Sequence, residues 1–442
     1  MRAERNPRSF TPACLSSGRL AKGEPMSSSG HLWTLVRVYP STEVTTRSPS
    51  EVDPREGGLT RAGVDAIWSS VVRLYETGLH PAIALCVRRH GRVVVDRAIG
   101  HAHGNLPDSG PEARKVLATP STLFNTYSAS KALTAMVVHL LDQRGLVHLD
   151  DPVAEYLPEF GANGKDWITL RHILTHRAGI PAIPSVNVDL DLIADPARVV
   201  ALLCACRPVS TPGRRLAYHA LTGGYIIGAV VERVTGRDIR SFLGREILAP
   251  LGFEHMSYGV PATDVDRVAE NAFTGPPTFP LYAAMLKKSF GVGIREACAL
   301  SNDPRFLTAV IPSGNVIGTA NEASRFFEIL LRGGALDGVR VFDRRTVQRA
   351  LLEQSFLEVD STIGLPVRYG MGFMLGSKWL SFYGHDTPRA FGHVGFTSVS
   401  IYADPDRDIS VALMTTGKPL ISLGQLTWLN VPRTIARVCA KA

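Results

Sequence analysis

Two groups of strand-forming runs, one near each end of the chain, enclose a long helix-rich middle, and this order constrains the fold more than any other feature of the sequence. Residues 82–87 and 93–99 are apolar and rich in β-branched side chains, and Arg88-Arg89-His90-Gly91-Arg92 between them has the composition of a hairpin turn. Residues 397–402 and 409–415 repeat the pattern around Asp404-Pro405-Asp406-Arg407-Asp408. Helical spacing of apolar residues fills 129–144, 169–176, 220–235 and 319–331, the last opened by Thr319 and Glu322 in capping-box spacing. Thr60 can cap a further helix in which Val64, Ile67, Trp68, Val71 and Leu74 recur at helical spacing before Gly78. The economical solution is α+β: an antiparallel sheet built from both ends of the chain, flanked by helices, with an all-helical part inserted. The α/β part is expected at about 58–118 and 366–442, and the helical part at about 119–365.

Residues 1–57 are rich in Ser, Pro and Arg without periodicity and read as a disordered extension; Met26, followed by three serines, is a possible true start. The first 25 residues lack the apolar core of a secretory signal, and no charge-free apolar stretch is long enough to span a bilayer, so a cytoplasmic location is expected, with association to the cell envelope left open. The net charge of +8 is diffuse and includes no run of five basic residues, which argues against nucleic acid as a partner. Six scattered cysteines, with Cys204 and Cys206 in an apolar helical stretch, read as buried free thiols of a reducing compartment. His172 and His176 have a metal-like spacing but no H-E-x-x-H glutamate, His101 and His103 read as loop residues, and no metal or cofactor is expected.

The chemistry-bearing motif is Tyr127-Ser128-Ala129-Ser130-Lys131, at the head of an amphipathic helix. In its S-x-x-K reading, Ser128 and Lys131 lie one turn apart on the same helix face, so the amine can take the hydroxyl proton. The helix N-terminus adds positive potential where an anionic intermediate forms. The competing reading, Tyr127 and Lys131 as Y-x-x-x-K, has the look of short-chain dehydrogenases. That family needs a Gly-rich phosphate turn between a strand and a helix, and no helical pattern follows the only nearby candidate, 100–104. No G-x-S-x-G nucleophile elbow occurs.

The block 124–160, together with Ile168-Thr169-Leu170-Arg171-His172-Ile173-Leu174-Thr175-His176 and Gly179, resembles the serine β-lactamase-like superfamily, and more narrowly its class C and family VIII-type esterases, including an actinobacterial lipase branch. The resemblance runs over roughly 60–440. It implies that Tyr218, in Tyr218-His219-Ala220, stands at the family's Y-x-N base, sharing a labile proton with Lys131 because a nearby ammonium favours the phenolate. Ala220 departs from that motif: β-lactamases carry an Asn there that holds the β-lactam side-chain amide. It also implies that His393-Val394-Gly395 is the H-x-G that replaces K-T-G, opening the strand that begins near Thr397. His393 would then bond the tyrosine or the ester, Gly395 would admit the acyl group, and the N–H groups of Ser128 and Phe396 would hold the oxyanion. Arg171, His172 and His176 belong to a block that is structural in the family.

These residues lead to the expectation of a serine esterase acting on short- to medium-chain carboxylic esters through an acyl-enzyme, without cofactor, in an oligomeric state the sequence leaves open. A β-lactamase or D-amino-acid peptidase of the same fold, an acyltransferase, and an inactive scaffold or binding member are the alternatives.

Overall fold

Thr60 caps the first long helix, α1 (Arg61–Tyr75), by accepting the Gly63 N–H. Its apolar stripe, Val64, Ile67, Val71 and Leu74, is buried against the sheet. The computed structural model describes residues 33–441 except 185–187, 278–279, 281–282, 285–286, 288–290 and 421–422.

The main sheet takes strands from both ends of the chain. In chain order its path holds β1 (Thr45–Arg47), β2 (Ala82–Arg89), β3 (Arg92–His103), β4 (Ser355–Val359), β5 (Pro366–Tyr369), β6 (Met374–Leu375), β7 (Phe391–Gly395), β8 (Val399–Asp404) and β9 (Ile409–Thr415). In space the order is β1-β3-β2-β9-β8-β7-β6-β5-β4, all antiparallel. The two ends of the chain meet at β2 and β9, where Leu85 pairs with Leu413 and Val87 with Val411. The two-residue period of the strands sorts side chains by size. Ile83, Leu85, Val87, Val411 and Leu413 pack under α1 and the C-terminal helix α5 (Leu423–Val438). Ala84, Cys86, Ala98 and Ala412 face the other way, where their small volume lets helix α4 (Ala320–Leu331) approach closely. That second cluster continues through Phe326 and Phe327 into Leu133, Met136 and Val137 of helix α2 (Ser130–Gln143).

Several expectations are corrected. The segment 33–57 is ordered: β1 pairs with β3, and Glu51 accepts hydrogen bonds from the Arg97 guanidinium and the Asp96 N–H, contacts that polar composition does not reveal. Residues 1–32, with Met26 and Cys14, lie outside the described residues. The sheet resumes at Ser355 rather than 366, because β4 pairs with β5. His101 and His103 belong to β3, which runs past its expected end and carries Val116–Leu117 as a side pairing. The Thr319 hydroxyl does cap α4, but the Glu322 carboxylate leaves the box to accept the Glu254 and His255 N–H groups. Cys204 and Cys206 are half-buried, whereas Cys86, Cys298 and Cys439 are buried.

Candidate active site

The nucleophile candidate sits on a turn forced into place from several sides. Residues Tyr127–Ala129 form a single 3-10 turn leading into α2. Tyr127 has φ 49°, a left-handed conformation that costs a non-glycine residue roughly 1 kcal/mol or more. It is held there by its neighbours. The Tyr127 N–H donates to Asn125 Oδ1 at 2.9 Å, its hydroxyl meets Ser301 Oγ at 2.8 Å, and its ring packs 5.1 Å from that of Phe396. Ser130 faces inward: its Oγ accepts the Val316 N–H at 2.9 Å and lies 3.0 Å from Thr126 Oγ1. Ser128, not Ser130, is therefore the serine of this turn that lines the adjoining cavity.

Lys131 Nζ lies 3.5 Å from Ser128 Oγ, 2.7 Å from the Ala220 carbonyl and 3.0 Å from the Ser313 carbonyl. Burial without a carboxylate partner brings its pKa down to about 7. The protonation state decides what these three contacts mean. An ammonium donates to all three. A neutral amine has two hydrogens and one lone pair, and carbonyls can only accept, so the hydrogens go to Ala220 and Ser313 and the lone pair is left for the Ser128 hydroxyl.

Tyr218 arrives from a separate segment, just before helix α3 (Thr222–Thr235), and its phenol interacts with the Ser128 side chain. Its backbone N–H is anchored on Asp360 Oδ1 at 3.0 Å, and its ring lies 4.7 Å from Lys131 Nζ. Burial raises the phenol pKa further, more than the interaction with Ser128 lowers it. Burial of the ring therefore works against the phenolate that the resemblance implies.

His393 lies inside β7 rather than ahead of the strand, opposite Ile401 of β8, and β7 turns into β8 through Thr397 at φ 69°. The ring is buried, and burial first, then the charge of Lys131, brings its pKa down to about 3. Its Nδ1 lies 2.7 Å from the Val394 carbonyl, which can only accept, so Nδ1 carries the hydrogen and Nε2 the lone pair. Gly395 ends the strand where a Cβ would stand 2.1 Å from the Thr126 carbonyl oxygen. Only glycine lets the end of β7 touch the backbone of the nucleophile turn, and this contact brings Phe396 against Tyr127.

The residues that support this set include His176, expected to be structural, and others that carried no signal in the sequence. His176, at φ 59°, packs its ring 4.7 Å from Tyr218 and 5.1 Å from Tyr369. His219 Nδ1–H donates to the Ala217 carbonyl at 2.6 Å, while Nε2 accepts the Ile180 N–H at 3.1 Å, stapling two loops together. Asp360 and Ser313 come from segments with no motif. His172 closes the capping box with Thr169, and among the described residues no group of three or more His, Cys, Asp or Glu is arranged to hold a metal.

Beside Ser128 opens a cavity of about 90 Å³, walled by Tyr127, Leu190, Ile193, Leu300, Phe306 and Phe396, with no charged side chain in its lining. A far larger cavity, about 1220 Å³, lies between α3 and the helix Pro196–Ala205; neither Ser128, Lys131 nor Tyr218 lines it, so the chemistry points to the smaller one.

The model of the family described as Beta-lactamase matches residues 71–432. The chain belongs to that family. It is 29% identical over 434 residues, 91% of this chain and 94% of the relative, to a protein named Esterase/beta-lactamase LipL from Mycobacterium tuberculosis. Among solved structures, a penicillin-binding protein homologue from Caulobacter crescentus is similar, with TM-score 0.73 and 26% identity, covering 86% of this chain and 99% of that one. A family VIII carboxylesterase is similar too, with TM-score 0.69 and 25% identity, covering 85% and 98%. This member of the family is a hydrolase of the serine β-lactamase fold.

Proposed function

We propose that the protein hydrolyses short-chain, uncharged carboxylic esters through an acyl-enzyme on Ser128. The observation that carries this reading is the environment of Lys131: two carbonyls take its hydrogens and leave a lone pair for the Ser128 hydroxyl, at a pKa near neutrality. Ser128 Oγ attacks the ester carbonyl carbon as its proton passes to Lys131 Nζ. The oxyanion that forms is held by the N–H groups of Ser128 and Phe396, roles carried over from the family resemblance, with the N-terminus of α2 behind them. Tyr218, still protonated, gives its proton to the leaving alkoxide and regains one from Lys131, so the alcohol departs neutral. Water then repeats the sequence on the acyl-enzyme and frees the acid. The lone pair of His393 Nε2 is suited to accept a hydrogen bond from the phenol or from that water.

The acyl side is supported by the cavity. At about 90 Å³ it is small, and its apolar lining rejects a charge. Ala220, standing where β-lactamases carry Asn, favours esters over β-lactams. The relative named Esterase/beta-lactamase LipL makes the β-lactam comparison the informative one. A p-nitrophenyl ester series measured beside nitrocefin tests the reading. Turnover should fall as the acyl chain lengthens, and nitrocefin should be slow. Fast nitrocefin turnover with inert esters would refute it, as would a fluorophosphonate probe that labels Ser128→Ala as well as the unmodified protein.

A further inference from the structure

β4 is the free edge of the main sheet; it exposes apolar side chains, and none of its residues lines the catalytic cavity. Phe356 is 72% exposed and Val359 62%, with Leu365 at 48% on the following loop. Beside them a tight turn, closed by Ser377 Oγ on the Leu380 N–H at 2.9 Å and the Leu380 carbonyl at 2.6 Å, holds out Trp379 at 79% and Leu380 at 62%. Arg368 joins the two groups: its guanidinium lies 5.7 Å from the Phe356 ring centre and donates to the Gly376 carbonyl at the base of that turn. Exposed apolar side chains in such a contiguous set mark a contact surface.

The edge itself is a poor template for another strand. The register slips between Ser355 and Glu358, and Leu357 has φ 47°, so the backbone groups a partner strand needs are out of line. The side chains form a protruding turn and edge, not a groove, which suits a soft planar partner.

The charges indicate which one. The carboxylates of this region are already matched: Glu353 by Arg368, Glu358 by Arg177 and Asp386 by Lys441. Exposed Lys378, with Nζ 5.2 Å from the Trp379 ring, shares Asp386 with Lys441, while exposed Arg214 and Arg215, which adjoin β4 through Arg177 and Ser361, are left as surplus positive charge. Tryptophan and leucine flanked by unmatched cations are the composition of a surface that sits at an anionic bilayer interface. We infer that this face docks the protein peripherally on anionic phospholipid surfaces, with Trp379 and Leu380 entering the headgroup region. No helix among the described residues is long and apolar enough to cross a membrane. The same loop region carries Asp360, which accepts the Tyr218 backbone N–H.

The test is co-sedimentation of the full chain with vesicles of phosphatidylglycerol and phosphatidylcholine in equal parts, against phosphatidylcholine alone, a measurement independent of ester turnover. Binding is expected only to the mixed vesicles and should weaken as salt is raised. Trp379→Ser combined with Leu380→Ser should weaken partitioning on the order of tenfold while turnover of a soluble ester is unchanged. Because that turn is exposed, the variant keeps its fold, and Phe356→Ser provides a second, independent lesion. In the unmodified protein, vesicles should shift the tryptophan emission to the blue, and Trp379→Phe should abolish the shift. Partitioning that ignores these residues, or equal binding to both vesicles, overturns the inference. So does a dimer, seen by light scattering, that the same variants dissolve, since the face would then belong to a second copy of the chain.

Discussion

Two buried lysines flank the nucleophile turn, and they differ in one respect. Lys418 is fully buried, donates to the Thr415 carbonyl at 2.6 Å and lies 4.5 Å from the centre of the Tyr127 ring. Lys131 is nearly as buried and lies 4.7 Å from the Tyr218 ring. Burial brings both amines down to about 7. Only Lys131 has a hydroxyl within reach; the thiol that interacts electrostatically with Lys418, Cys298, is pushed up to about 12 by its own burial. Desolvation thus prepares an amine as a base, but the group standing in its lone-pair direction decides whether it has anything to deprotonate.

Breaking the comparison starts at the shared turn. Ser128→Ala should abolish ester turnover, a loss of about 10⁴-fold or more, with the thermal unfolding midpoint unchanged. Next come the two amines. Lys131→Met is expected to lower kcat about 10³-fold and Lys418→Met less than about threefold; comparable losses would mean that Lys418 serves the reaction as well. Tyr218→Phe should cost about 10²-fold in kcat, because the leaving alkoxide loses its proton donor while Lys131 stays in place.

The two lysines also separate by pH. Below about pH 7 Lys131 holds its proton and has no lone pair, so kcat/KM should fall towards acid and level off above that point. Lys418→Met should leave this limb untouched. Stability is a different matter. Each folded-state pKa lies below the free value of 10.5, so between about 7 and 10.5 the unfolded chain binds more protons and the unfolding free energy rises with pH. Denaturant titrations across that window should show a shallower rise in Lys418→Met. The smallest effect is expected for Ser130→Ala: turnover within about twofold, and about 1 kcal/mol of stability lost with the hydrogen bond to Val316.

The fold was legible in the sequence where a local period carries it. The Thr60 helix, the 82–99 hairpin and the closing strand Ile409–Thr415 came from alternation, helical spacing and turn residues. Segment 33–57 was not legible, because its order depends on Glu51 meeting Arg97 and Asp96 across distant sequence. The edge strand β4 was missed for a similar reason: its bulge and its exposed Phe356 and Val359 break the alternation that marks a strand.

The site divides along the same line. Ser128 and Lys131 are one helical turn apart, so the chain alone set them on one face; Gly395 was expected to admit the acyl group, and its close approach to the Thr126 backbone came only with the fold. Whether Lys131 is a base, and which tautomer His393 adopts, follow from the Ala220, Ser313 and Val394 carbonyls that folding brings up to them. A spacing can bring a hydroxyl and an amine together, but proton affinity depends on how much water is excluded and which dipoles replace it, and only the packed tertiary structure decides that.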